Sequence, residues 1–141
     1  HEVLGVIEGL PHVHGVAEHP EGLYYYFSNE MHEAIDIVDT RTLEVVDHIP
    51  LSGRPNNISM SREIRKLYVG IRGGGPYTDV IDIDTHEVIR TIRMHRGVHN
   101  IYVTDDERWA VASLAPGPDN PEWQMLASWV RGELTGSTCP G

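Results

Sequence analysis

The chain has 141 residues, enough for one domain with a sizeable core. Its 11 Lys and Arg stand against 21 Asp and Glu, a formal charge of −10 that repels phosphate backbones and argues against a nucleic-acid partner. No apolar run approaches the ~18 residues of a membrane span, and no signal-peptide pattern is visible. The single Cys139 excludes an intrachain disulfide, and the opening His1 in place of Met suggests a processed or truncated piece of a longer chain.

The first predicted element is a strand over Glu2 to Ile7, broken by Gly9-Leu10-Pro11. Val13 to Glu18 is a second strand, and His19-Pro20-Glu21-Gly22 is a tight turn of Pro-x-Gly type. Leu23 to Ser28 is a third, Asn29 to Glu33 a polar loop, Ala34 to Val38 a fourth strand, and Leu43 to Ile49 a fifth. Strands then fall at Asn57 to Met60, Lys66 to Ile71, Asp79 to Ile83, Glu87 to Ile92, His99 to Thr104 and Trp109 to Ser113. Turn signals roughly every 8–12 residues mark an all-β chain. Ile37, Ile58, Val69, Ile81, Ile83, Ile101 and Val111 are the expected core. Ala115-Pro116-Gly117-Pro118 is a hard break, and the segment beyond it supports two readings. Asn120 as N-cap, Pro121 at the first helical position and Glu122 in the first turn favour a helix over 121–134, with Trp123, Leu126, Val130 and Leu134 on one face. The alternative makes Gln124 to Val130 an extra strand.

The chain repeats itself. Glu2 to Phe27, Glu44 to Val69 and Glu87 to Ala112 match, with starts 42 and 43 residues apart, and His14, Asn56 and His99 keep the same step. A period of about 40–45 residues holding several short strands is the signature of a propeller blade. The predicted fold is therefore all-β, about three blades of four antiparallel strands. Repeats occupy residues 1–114, in units near 1–48, 49–91 and 92–114, followed by the break, the helix or strand and a tail over 115–141.

Leu67-Tyr68-Val69, Asp36-Ile37-Val38-Asp39-Thr40 and Val80-Ile81-Asp82-Ile83-Asp84-Thr85 resemble the YVTN-type β-propeller repeat over about residues 1–113. The resemblance implies a ring of about seven blades, a number this chain does not reach alone. It also implies bacterial or archaeal surface or periplasmic relatives, which favours a periplasmic or extracellular location. Among those relatives are lactonase-like enzymes and propellers that hold a haem or copper cofactor.

In a propeller, the loops entering each innermost strand share one face with the loops between second and third strands. The entering set here contains His12, His14, Arg54, Asn56, Asn57, His95, Arg96, His99 and Asn100. The second set adds Asn29, Glu30, His32 and Arg72. Arginines on one face of an acidic chain could gather anions. His14 and His99, at equivalent blade positions, could ligate Zn, Cu or Fe, with His12 as a third ligand if His12-Val13-His14 is extended. The plainer reading has them bonding loop backbone and channel water. No Cys-x-x-Cys-His is present, so covalent c-type haem attachment is excluded.

Other motifs point away from chemistry. Gly73-Gly74-Gly75 precedes no helix or Lys-Ser/Thr, so it cradles no phosphate. Asp82 and Asp84 recur as Asp36 and Asp39 and read as hairpin carboxylates on a solvated face. Ser28, Ser59 and Ser113 lie in strands with no nucleophile elbow. Two functions emerge as expectations. One is a binding scaffold holding a protein or small anionic ligand on the loop-rich face. The other is a metal- or cofactor-dependent enzyme, lactonase-like or redox, built on the channel histidines. Expected partners are a second copy, joined head to tail into a six-bladed ring, or the remainder of a longer propeller.

Overall fold

The computed structural model describes residues 2–3, 5–115 and 124–129, the last stretch by its backbone alone. Three antiparallel sheets form among these residues. The first blade is β1 (Val13–Glu18), β2 (Tyr24–Asn29), β3 (Ala34–Asp39) and β4 (Val45–Pro50), in that spatial order. The second is β5 (Arg54–Ser61), β6 (Lys66–Gly73), β7 (Tyr77–Asp82) and β8 (Glu87–Arg93), again in chain order. The third is β9 (Val98–Val103), β10 (Trp109–Leu114) and β11 (Gln124–Trp129), with β10 central.

Two expectations change. The described residues of Glu2 to Ile7 form no strand; they run beside the first blade, where Gly5 lies so close to Leu43 that a Cβ would meet its side chain at 2.6 Å. A strand needs a neighbour for its ladder bonds, and the described residues offer this segment no preceding sheet. The helix over 121–134 gives way, at Gln124–Trp129, to the strand of the alternative reading, paired with β10 from Trp109↔Trp129 to Leu114↔Gln124. The open edge of β10 outweighs a weak local capping signal. Asn120, Pro121, Glu122, Trp123, Val130 and Leu134 lie outside the described residues.

Strand alternation builds the core between blades. Tyr26, Ile35, Ile37 and Ile49 of the first blade pack against Ile58, Leu67, Val69, Ile71, Ile81 and Ile83 of the second. Tyr68 and Val80, on the other face of the second blade, pack against Val98, Ile101, Ala110, Ala112 and Leu114 of the third. Burying each large apolar side chain contributes about 1.5–3 kcal/mol. The expected core is buried except Val111, which is half-buried between the buried Ala110 and Ala112.

The hairpins close with repeated side-chain chemistry. Asp39 Oδ1 accepts the N–H of Arg41 and Thr42 at 2.9 and 2.8 Å, and Leu43 takes the left-handed conformation, φ 60°. Asp82 Oδ1 accepts from Asp84 and Thr85 at 2.9 and 3.4 Å, and His86 takes φ 57°. These are the turn carboxylates foreseen, but Asp36 is not one of them. It is fully buried in β3, opposite His48 of β4, just as the buried Asp79 of β7 lies opposite Thr91 of β8. The equivalent of Asp36 is therefore Asp79, and Asp39 is the partner of Asp82.

Charged turns tie the first two blades together at this end. The Arg65 guanidinium holds Asp84 in a fork at 2.7–3.0 Å and reaches Glu21 at 2.6 Å. Arg65 keeps the carboxyls of Glu21 and Asp84 below their ordinary 4.5 and 3.8, and Lys66 does the same for Asp82. Burial pushes the His19 imidazole below 6.5, outweighing Glu21, whose carboxylate lies 3.0 Å away. All four groups bind protons less readily when folded, so each contribution is complete above its ordinary value and disappears as pH falls through the lowered one. Urea-unfolding midpoints should hold above pH 6.5, decline through the imidazole range and drop again below about 4.5. Arg65→Gln should flatten the second step. A midpoint that rises on acidification would contradict the assignment.

Candidate ligand-binding rim

The innermost strands β1, β5 and β9 carry the equivalent residues His14, Asn56 and His99 near their starts, with β5 beginning earlier than expected so that Asn56 lies inside it. Short polar side chains bind the strands to one another. Ser28 Oγ accepts the Gly15 N–H at 2.8 Å and donates to the Asn56 carbonyl at 2.5 Å, joining the first blade to the second. Asn57 Oδ1 accepts the Ile101 N–H at 3.3 Å and Ser59 Oγ accepts that of Val103 at 2.9 Å, joining the second to the third. Ser113 Oγ accepts from Asn100 N at 3.2 Å. The three serines are thus structural.

Above this seam the charged side chains converge. His14 Nε2 lies 2.9 Å from Glu30 Oε2, and the Glu30 N–H donates to the His12 carbonyl at 3.1 Å. His14, followed by Arg54 and Arg72, holds the Glu30 carboxyl below its ordinary 4.5. Burial, then Arg72 and His14, hold His99 below 6.5, against a hydrogen bond with Asn100 that raises it. His14, Glu30, Arg54, Arg72, His99 and Asn100 therefore share one electrostatic neighbourhood. The Arg54 guanidinium lies against Gly73, where a Cβ would meet Nε at 2.6 Å, so the glycine makes room for it. With neutral imidazoles the rim holds two arginines against one glutamate, a local excess of positive charge on a chain of net charge −10.

His12 has φ 54°, so His12-Val13-His14 is not extended and its two rings do not share a strand face. Asn56 is buried, and Asn57 is occupied between blades. His95 and Arg96 belong to the β8–β9 connection. His14 and His99 come within electrostatic reach of each other. The three metal-competent side chains that meet within ligand distance among the described residues are others: His32, Asp36 and His48.

Four-stranded antiparallel sheets repeated at a fixed step, packed face to face with innermost strands side by side, are propeller blades. Residues 8–108 match the YNCE-like beta-propeller family. The chain belongs to it. Comparison with curated proteins finds no match. Solved structures similar to this YNCE-like chain include Kuenenia stuttgartiensis hydrazine synthase, at TM-score 0.77 and 22% identity over 84% of this chain and 34% of that one. The Myceliophteria thermophila Cps50 (Swd1) beta-propeller domain matches at TM-score 0.72 and 16% identity, over 93% of this chain and 39% of that one. The dihydro-heme d1 dehydrogenase NirN in complex with DHE matches at 0.65 and 14%, over 76% of this chain and 23% of that one. The YNCE-like chain thus spans 23% to 39% of these neighbours' lengths, and these likenesses establish the fold alone.

Proposed function

We propose that this YNCE-like propeller is a recognition module whose rim binds an anionic group, a carboxylate or phosphate on a small ligand or on a partner protein. The supporting observations are the contact of His14 with Glu30 at 2.9 Å, the influence of Arg54 and Arg72 on Glu30, and that of Arg72 and His14 on His99. Guanidinium groups suit planar and tetrahedral oxyanions because their donors form a fixed fork. The titration of His99 gives the reading a direction. Its positive form appears only below the ordinary 6.5, so anion binding should tighten as pH falls from 7 toward 5.

Calorimetric titration with inorganic sulfate, an oxyanion whose charge does not change between pH 5 and 7, tests this. The double variant Arg54→Ala/Arg72→Ala should weaken binding by about tenfold or more, since hydrogen bonds to charged groups contribute about 1.5–3 kcal/mol each. Binding that is unaltered in that variant, or that weakens on acidification, would count against it.

The enzyme reading, with a metal or cofactor on His14 and His99, is favoured by the reach of His14 to His99 across the innermost strands. Binding that requires both histidines and an added metal would select it over anion recognition.

Assembly belongs to the same proposal. The first blade turns Val16, 58% exposed, and the partly exposed Tyr25 and Phe27 away from the second. Propellers close with about four to eight blades, so further blades complete this one, either from a second copy or from the remainder of a longer chain. Light scattering on the 15.8 kDa chain distinguishes a dimer from a monomer.

A further inference from the structure

We propose a second site, independent of the rim: His32, Asp36 and His48 form a binding site for a divalent transition metal ion. One ligand atom from each residue lies within 4.8 Å of the other two. His48 Nδ1 is 2.6 Å from Asp36 Oδ1, and His32 Nδ1 is 3.2 Å from Oδ2. Tetrahedral coordination at about 2.0–2.2 Å from the metal places ligand atoms about 3.3 Å apart, so small side-chain rotations admit the ion. The two rings meet edge to face, 89° apart, and each turns Nδ1 toward the carboxylate. Two imidazoles and a carboxylate suit Zn²⁺ and its neighbours in the first transition row.

The second blade supplies an internal control. There the equivalent carboxylate, Asp79, accepts from Thr91 Oγ1 at 2.6 Å and from the Ser52 N–H at 2.7 Å. That is an ordinary buried carboxylate satisfied by a hydroxyl and a backbone donor. In the first blade the hydroxyl position holds His48, and His32 enters from the β2–β3 loop. Both replacements are metal ligands. Their side chains are 40% and 54% exposed, while Asp36 is fully buried, so the ring nitrogens of exposed residues are held inward on a fixed anion.

A further shell holds the carboxylate in place. Asn29, fully buried, donates Nδ2–H to Asp36 Oδ2 at 2.7 Å, which leaves Oδ1 for the ion. Its own Oδ1 accepts the N–H groups of Met31 and His32 at 3.0 and 3.1 Å, which positions the His32 backbone. Outer hydrogen bonds of this kind orient metal ligands. His32 and His48 also line a groove of about 600 Å³ whose other wall includes Gly5, Val6, Glu8 and Gly9. The remaining coordination positions therefore face a space open to water or a small ligand, as in sites with three protein ligands.

Metal-stripped protein titrated with Zn²⁺ in a calorimeter, with metal content measured after gel filtration, tests the assignment. One equivalent of Zn²⁺ is expected. His32→Ala and His48→Ala should each weaken binding at least tenfold, and Asn29→Ala about 10–100-fold, the usual range for an outer-shell partner. His14→Ala and His99→Ala should leave it unchanged, which separates this site from the rim. Because metal binding to the folded state raises the unfolding temperature, Zn²⁺ should stabilise the wild type and not the His32→Ala/His48→Ala variant. Circular dichroism of that variant checks that it is folded. Absence of stoichiometric Zn²⁺ in the wild type, or full retention in the folded double variant, would overturn the proposal.

Discussion

Ile81→Ala is expected to destabilise the protein by about 2–5 kcal/mol, the range for truncating a buried isoleucine. Ile81 is fully buried in β7, within the cluster that the second blade forms with Tyr26, Ile35 and Ile37 of the first. Its loss removes packing between two sheets as well as within one. Both sheets are held by backbone ladders, so neither can easily collapse into the cavity, and the cost should lie in the upper half of that range. Val111→Ala, at a half-buried site, should cost much less. Urea denaturation of both variants checks this. A difference of less than about 0.5 kcal/mol between them would place Ile81 outside the inter-blade core.

Glu107→Ala should have the next largest effect. Glu107 stands in the β9–β10 turn with φ 51°, a left-handed conformation uncommon for a residue with a Cβ. Its carboxylate accepts from Ser61 Oγ at 2.6 Å, Arg62 N at 3.0 Å and Glu63 N at 2.8 Å. The donors are the last residue of β5 and the first two of the β5–β6 turn, so one side chain fastens the third blade to the second. Hydrogen bonds to a charged group contribute about 1.5–3 kcal/mol each, but partial exposure and shared partners make them less than additive, so a total near 2–4 kcal/mol is expected. Glu107→Gln keeps one acceptor oxygen and should lose about half as much. Hydrogen exchange would show the loss as faster opening of the third blade, with the Ile58–Val69 ladder protected. Uniform loss of protection in all three blades would contradict this local role.

The strand positions were legible because their causes are local. Alternation at period two marks β1 to β10 to within a few residues, and the short acceptors Asp39 and Asp82 mark where the chain turns back. The equivalence of His14, Asn56 and His99 was legible too, since a repeated unit repeats its geometry. The cluster of His32, Asp36 and His48 was not. Asp36-Ile37-Val38-Asp39 resembles the turn motif Asp82-Ile83-Asp84, and only the ladder shows Asp36 opposite His48 and Asp79 opposite Thr91. The usable signal was a histidine at the position that holds threonine one repeat later.

Hairpin chemistry comes from the sequence alone because it depends on residues a few positions apart, and period and blade class do so because the chain writes the same unit repeatedly. Partners distant in the chain decided the rest. Gln124–Trp129 is a strand because β10 offers it an edge, whereas the described part of Glu2 to Ile7 runs beside the first blade and joins none of the sheets among the described residues. His12 does not share a strand face with His14 because its backbone turns left-handed, and Arg54 has room at the rim because Gly73 carries no side chain. A buried carboxylate between two imidazoles arises from the face of β3 that Asp36 occupies, which pairing sets and local propensity does not.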